Sequence, residues 1–290
     1  MQTEYEIIVD NERLLTVEVS GAPDGAPVFL LHGTPGSRSG PKPRSSVLYR
    51  LGVKLVTYDR PGYGGSTRVP GRSVAHAAHD VALIADRLNL GRFSVVGRSG
   101  GGPHALACAA LLPDRVTRAA VLVGLAPADA NGLEWFDGMA EDNVRKHSAA
   151  AEDAVGLMRE LVEQAERVAV DPESLIEVLR SQMSPPDQRF MQSVMYRRLF
   201  SASYREALRS GPYGWIDDVL AFRGDWGFAL DDIPGVVHLW HGAQDTFSPV
   251  GHSLWIASQL RRAEVQVEDD GAHFTAVEVL PRVLTWLTAA

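Results

Sequence analysis

The chain has 290 residues, 45% of them hydrophobic and 22% charged, with a formal net charge of −8. This is the composition of a globular protein with a sizeable core, and the acidic balance excludes a general nucleic-acid binder, which needs a basic face. No apolar run approaches the ~18 residues that span a bilayer, and the N-terminal stretch lacks the basic start and apolar segment of a signal peptide.

Glu4–Val9 and Leu14–Val19 alternate like the arms of a hairpin around Asp10-Asn11-Glu12. Pro27–Leu31 is a continuous apolar run stopped by His32-Gly33-Thr34-Pro35-Gly36, the pattern of a buried parallel strand. It recurs in Val53–Tyr58 before Asp59, in Phe93–Val96 before Gly97 and in Ala119–Val123 before Gly124. Between these runs, a helix is expected from a Ser73 cap through Leu88, and a second over Gly100–Leu112, apolar nearly all round and therefore buried. The latter carries the only cysteine, Cys108, which excludes an internal disulfide and fits a reducing cytoplasm.

From about Ala128 to Arg223 no buried strand is legible; helices are expected over Ala150–Ala169, Glu173–Met183 and Asp187–Phe200. The strand pattern returns at Val236–Trp240 before His241-Gly242 and at Val265–Glu268 before Asp270-Gly271, with helices over Val250–Leu260 and Phe274–Leu287. Alternating strands and helices predict an α/β fold with a mostly parallel sheet covered on both faces. Residues 1–126 and 226–290 would form this core. Residues 127–225 would be a helical cap over the carboxyl ends of the strands, where such sheets hold their sites.

Gly97-Arg98-Ser99-Gly100-Gly101 is a G-x-S-x-G between a strand and a buried helix. A nucleophile on such a turn takes strained backbone angles, so its neighbours must be small. No lysine follows these glycines, which removes a phosphate loop, and no G-x-G-x-x-G opens a helix after the first strand. A serine needs a base oriented by an acid. His273 follows the last expected strand and Asp245 the one before it, with Asp129 as the rival acid; the order Ser99…Asp245…His273 is that of a known hydrolase arrangement. His32 and His241 end strands and are expected to be structural, His104 lies in the buried helix, and His76, His79 and Asp80 share a face without a further ligand in sight. The amides of Thr34 and Gly100 are the expected oxyanion donors, since Pro35 has none to offer.

HGTPG at 32–36, DRPGYGGS at 59–66, GRSGG at 97–101, HGAQD at 241–245 and GAHF at 271–274 together resemble the α/β-hydrolase superfamily, specifically its serine esterase, proline-iminopeptidase and C–C-hydrolase branch. The resemblance covers the core and not the cap. It implies an eight-stranded, mostly parallel sheet and a serine hydrolase acting on a small to medium, largely apolar carboxylic ester or lactone. An iminopeptidase, a C–C bond hydrolase, a non-hydrolytic cyclising enzyme and a non-catalytic receptor remain as alternatives. Thr34 and Gly100 stand where iminopeptidases usually carry a glycine and a tryptophan, and Ser99 excludes relatives with an aspartate nucleophile.

No cofactor or metal is called for, and the expected partner is a small-molecule substrate, with monomer and homodimer both open. Arg98 is read first as a partner in an ion pair beneath the cap, and alternatively as a contact for an acidic substrate group. Trp135, Phe136, Met139, Met195 and Phe200 are taken, with Arg98, as the expected substrate-binding side chains.

Overall fold

The computed structural model describes residues 2–10 and 12–289. The strands are β1 (Gln2–Val9), β2 (Arg13–Gly21), β3 (Ala26–Leu31), β4 (Val53–Tyr58), β5 (Phe93–Arg98), β6 (Val116–Leu122), β7 (Val237–Gly242) and β8 (Ala263–Glu268). They form one eight-stranded sheet in the order β1-β2-β4-β3-β5-β6-β7-β8. The β1–β2 and β2–β4 pairs are antiparallel and every later pair is parallel. Asn11, in the expected hairpin turn, lies outside the described residues, but the arms pair from Gln2 with Ser20 to Val9 with Arg13.

Strands apolar on both faces need cover on both sides. Helices α1 (Ser45–Arg50), α2 (His76–Arg87), α3 (Gly101–Leu111), α10 (Gly251–Gln259) and α11 (Leu280–Thr288) supply it. Val81 and Ile84 of α2, Leu106 of α3 and Ile256 of α10 pack with Phe29, Val95 and Val121 on one face. Leu48 of α1 and Leu280, Val283, Leu284 and Leu287 of α11 pack with Val28, Val96 and Leu122 on the other. The α11 spacing places its apolar residues on one stripe, and each fully buried side chain contributes about 1.5–3 kcal/mol.

Between β6 and β7 run α4 (Glu141–Glu152), α5 (Ala154–Val170), α6 (Ser174–Arg180), α7 (Pro185–Phe190), α8 (Val194–Ala207) and α9 (Tyr213–Arg223). They have an apolar cluster of their own, which joins the core through Tyr63, Phe247, Phe274 and Val277.

Local chemistry explains where boundaries depart from expectation. The helix after Ser73 begins only at His76, without a side-chain cap, and is preceded by a tight turn in which Ser73 O accepts from His76 N–H. The expected Ala150–Ala169 helix is two helices, since the Asp153 carboxylate accepts from Gly156 N–H and starts a new one. The segment expected as Asp187–Phe200 begins earlier, with Pro185 in the first turn of α7, and breaks before α8. After His273 the chain makes a 3₁₀ turn over Thr275–Val277, and α11 starts with Pro281 in its first turn.

Since β3 and β5 to β8 run parallel, the loops after them open at one edge. The chain leaves β3 toward β4 and returns on its other side as β5, so a switch in winding direction falls between β3 and β5. Ligand crevices form at such points.

Candidate active site

Ser99 directly follows β5, with φ at +54°, the left-handed region that side chains rarely occupy. The conformation is pinned on both sides, as Ser99 N–H donates to Leu122 O at 2.8 Å and Ser99 O accepts from Gly102 N–H at 2.8 Å. A Cβ on Gly97 would stand 2.0 Å from Gly101 O, and one on Gly101 2.1 Å from Leu31 O. Only glycine lets helix α3 start so close to the strands. The serine is thereby lifted to the end of β5, at the amino terminus of α3.

Asp245 lies in the loop after β7 and His273 in the loop after β8, so the pairing of these two strands brings them together. His273 Nδ1 is 2.8 Å from Asp245 Oδ2. Asp245 Oδ1 accepts from the N–H groups of Phe247 at 2.7 Å and Ser248 at 3.0 Å. His241 Nε2 approaches Asp245 Oδ2 at 3.3 Å, and its own Nδ1 is held by Ser253 Oγ at 2.7 Å. Burial alone would raise the Asp245 pKa, but the His273 charge and the hydrogen bonds from His241 and His273 outweigh it and hold the carboxyl below its usual range. The rival acid, Asp129, lies in a surface groove beside Asp225 and Trp255. Ser99 and His273 line one cleft. Among the described residues no hydrogen bond engages Ser99 Oγ or His273 Nε2.

Thr34 and Gly100 adjoin. A Cβ on Gly100 would stand 2.2 Å from Thr34 Oγ1, so glycine is required for the approach. Among the described residues no acceptor engages either amide. The Thr34 side chain is tied down: Oγ1 donates to Asp218 Oδ2 at 2.5 Å and accepts from Arg60 Nη2 at 3.0 Å. Asp218 belongs to α9 and is fully buried. It also accepts from Arg60 Nη2 at 2.5 Å, Tyr63 Oη at 2.8 Å and Arg72 Nη2 at 2.5 Å, with His104 Nε2 at 3.4 Å. Burial opposes its charge, yet Arg60 and Arg72 hold the carboxyl well below the ordinary range. His32 is a brace, as expected: its Nδ1 meets Gly33 O at 2.8 Å and its Nε2 accepts from Arg60 N–H at 3.1 Å.

Asp187, of α7, carries no signal in the sequence that separates it from a solvated helix acid. Its carboxylate accepts from three consecutive N–H groups of the histidine loop: His273 at 3.1 Å, Phe274 at 2.7 Å and Thr275 at 3.3 Å. Burial pushes its pKa up to about 6, with the Asp245 charge adding to the rise and His273 opposing it.

The Ser99 cleft is walled by Asn143, Lys146, Leu175, Leu179, Trp215 and Phe247, among others, from both the inserted helices and the core. Lys146 is paired with Asp142 and lies 4.9 Å from the Trp215 ring. A second, narrow cleft shares Gly33, Pro35, Arg98 and Tyr204 with the first and adds Ser37, Phe200 and Ser203.

Of the expected substrate-binding side chains, Arg98 and Phe200 therefore line these clefts, whereas Trp135, Phe136, Met139 and Met195 line neither. Trp135 is buried against His147 and His252, and its Nε1 donates to Ala126 O at 3.1 Å; Phe136 packs on its edge. Met139 is buried in the same core cluster, while Met195 is exposed on the outer side near Arg44. The ion pair expected for Arg98 is not made: among the described residues no carboxylate lies within 4 Å of it. His76, His79 and Asp80 do not form a metal site either, because Asp80 is 2.6 Å from Arg13 and His79 reaches Asp10 at 3.1 Å. Among the described residues no cluster of His, Cys, Asp or Glu is arranged to hold an ion.

A sequence profile of the alpha/beta hydrolase fold matches residues 26–278. The chain belongs to this family. It is 32% identical to a proline iminopeptidase of Arabidopsis thaliana over 134 residues, 44% of this chain and 34% of that one. It is 25% identical to a 2-hydroxymuconate semialdehyde hydrolase of Pseudomonas putida over 88% of this chain and 83% of that one. The chain spans about a third of the length of some of its curated relatives, among them that iminopeptidase and a hydrolase of Bacillus subtilis. A bromoperoxidase structure from Bacillus anthracis superposes with a TM-score of 0.74 at 19% identity, covering 98% of this chain and 99% of that one. At that identity the likeness speaks for the fold. No helix among the described residues is long and apolar enough to cross a membrane.

Two stability predictions follow from the buried carboxylates. Asp218→Ala strips Arg60 and Arg72 of their shared anion, so urea unfolding is expected to show a loss of about 3–5 kcal/mol; a loss below about 1 kcal/mol would contradict this. For Asp187, the folded-state pKa near 6 lies above the ~4 of an unfolded aspartate, so its contribution is present below pH ~4 and is lost as pH rises to about 6. Asn at this position cannot ionise. The stability of Asp187→Asn relative to the parent is thus expected to climb by up to about 3 kcal/mol between about pH 4 and 6 and to level off above. Melts across that range test this, and a pH-independent difference would refute it.

Proposed function

We propose that this chain is a serine hydrolase that cleaves a small to medium carboxylic ester or lactone through an acyl-enzyme. The observation that carries the reading is the left-handed Ser99 at the end of β5, sharing one cleft with a His273 whose far ring nitrogen is 2.8 Å from Asp245. In this reading Ser99 Oγ attacks the acyl carbon while His273 Nε2 takes its proton. The carbonyl π pair moves onto oxygen, and the resulting oxyanion accepts hydrogen bonds from the Thr34 and Gly100 amides. Collapse expels the alkoxide, which takes the proton from His273. Water then attacks the ester of Ser99, with His273 again as base, releasing the acid and the free serine. Asp245 keeps the Nδ1 proton on the inner side of the ring and stabilises the imidazolium. Helices α4–α9 serve as a lid that narrows the cleft and excludes water. The chemistry requires no cofactor.

The expected outcome is covalent labelling by a fluorophosphonate probe and turnover of short p-nitrophenyl esters, both abolished by Ser99→Ala. His273→Ala is expected to lower kcat about 10⁴-fold or more. Intact-mass spectrometry shows the adduct. A folded protein that neither labels nor turns over these esters would refute the hydrolase reading in favour of a binding role. Proline arylamide turned over faster than ester would shift the assignment to a peptidase.

A further inference from the structure

Buried cations in this protein are matched almost without exception. Arg38 meets Asp59 at 2.6 Å and Glu206 at 2.6 Å, Arg60 and Arg72 share Asp218, and Lys146 is paired with Asp142. Arg223 also lacks a carboxylate, and its Nε and Nη1 are enclosed without a partner, but it rests on the rings of Trp135 and Phe136, at 4.9 and 5.4 Å, and lines neither cleft. Arg98 is different. It is half-buried at the end of β5, next to Ser99, and its Nη1 is enclosed without a hydrogen-bond partner. The Phe200 ring 5.2 Å from its Cζ offers a weak cation–π contact, and the Asp187 and Asp245 carboxylates act on it only from beyond ion-pair distance. An unmatched guanidinium costs the fold stability that a leucine or methionine would not, so its placement calls for an anion brought from outside.

The geometry around Arg98 suits that anion. The side chain forms part of the wall common to the two clefts, together with Tyr204. Nη2 and the Ser99 Cβ lie 3.3 and 3.5 Å from one point beside Gly33, and so within about 7 Å of each other. Ser37 and Ser203 add hydroxyls to the second cleft, while Pro35 and Phe200 give it apolar walls.

We propose that Arg98, assisted by the Tyr204 hydroxyl, binds a carboxylate on the substrate, so that the preferred substrates are acidic: half-esters of short dicarboxylic acids, or lactones bearing a carboxylate a few bonds from the scissile carbonyl. This deepens the serine-hydrolase reading and rests on it. The planar guanidinium receives a carboxylate through two parallel N–H bonds, which an ammonium in its place would not reproduce. The two clefts then have separate roles, one holding the reacting acyl group at Ser99 and the other the acid end.

The test compares the p-nitrophenyl half-ester of glutaric acid with neutral p-nitrophenyl butyrate, in the parent, Arg98→Gln and Arg98→Lys, alongside calorimetric binding of glutarate. The parent is expected to favour the half-ester in kcat/KM. Arg98→Gln is expected to cut the half-ester/neutral ratio by about ten- to a hundredfold. Arg98→Lys, which keeps charge and length and guards against a folding artefact, is expected to recover part of it. Glutarate binding is expected in the parent and lost in Arg98→Gln. An unchanged ratio, or glutarate bound equally or not at all, would overturn the proposal. Neutral-ester turnover and probe labelling by the parent are read separately, so a failed hydrolase reading is visible as the loss of both, whatever glutarate does.

Discussion

The buried carboxylate of Asp218 is the constraint on which the arrangement around Ser99 depends. A charge removed from water is tolerable only when matched and fully hydrogen-bonded. Asp218 sits on an inserted helix, but its donors belong to the sheet core: Arg60, Arg72, Tyr63 and the Thr34 hydroxyl. Helix α9 therefore cannot leave the core without exposing two cations to an unmatched interior. The same oxygen that anchors the helix holds the Thr34 side chain, which adjoins Gly100. Stability of the insertion and orientation of the loop after β3 are one interaction.

Around that anchor the sheet does the assembling. Parallel register from β3 to β8 delivers Gly33, Ser99, Asp245 and His273 to one edge although they are spread over most of the chain. Glycines at 97, 100 and 101 allow backbone approaches that any Cβ would block, and the strain at Ser99 is held by two main-chain hydrogen bonds. Local strain and long-range packing thus fix the same few atoms.

The core is readable in the sequence because each buried strand is an apolar run broken by a turn residue, and because the residues after those runs carry recognisable chemistry. The inserted helices are not. Their large apolar side chains mark Trp135 and Met139 as buried without saying against what, and both pack into the core from the turn region ahead of α4. Tyr204 and Trp215, which do line the cleft, are marked no differently. Asp187 and Asp218 escape a sequence reading because an acid on a helix normally marks a solvated face. A signal for Asp218 does exist: it sits between the apolar pairs Trp215-Ile216 and Val219-Leu220. Arg98 misleads for the opposite reason, since the usual fate of a half-buried arginine is an ion-pair partner, and the described residues supply none within 4 Å.

The histidine loop shows how far the insertion reaches into the site. Two carboxylates grip it from opposite sides: Asp245, from the core, holds the ring, and Asp187, from α7, holds three backbone N–H groups. Their environments separate them. Asp245 is surrounded by imidazoles and stays ionised, whereas Asp187 is buried with no cation among the described residues in ion-pair contact, so burial and the Asp245 charge outweigh His273 and its pKa rises to about 6. A ring held only through Asp245 could still tilt with its loop; the main-chain bonds to Asp187 remove that freedom. With Thr34 tied through Asp218 and His273 through Asp187, the inserted helices are linked to both sides of the cleft, and substitutions well outside it are coupled to the geometry at Ser99.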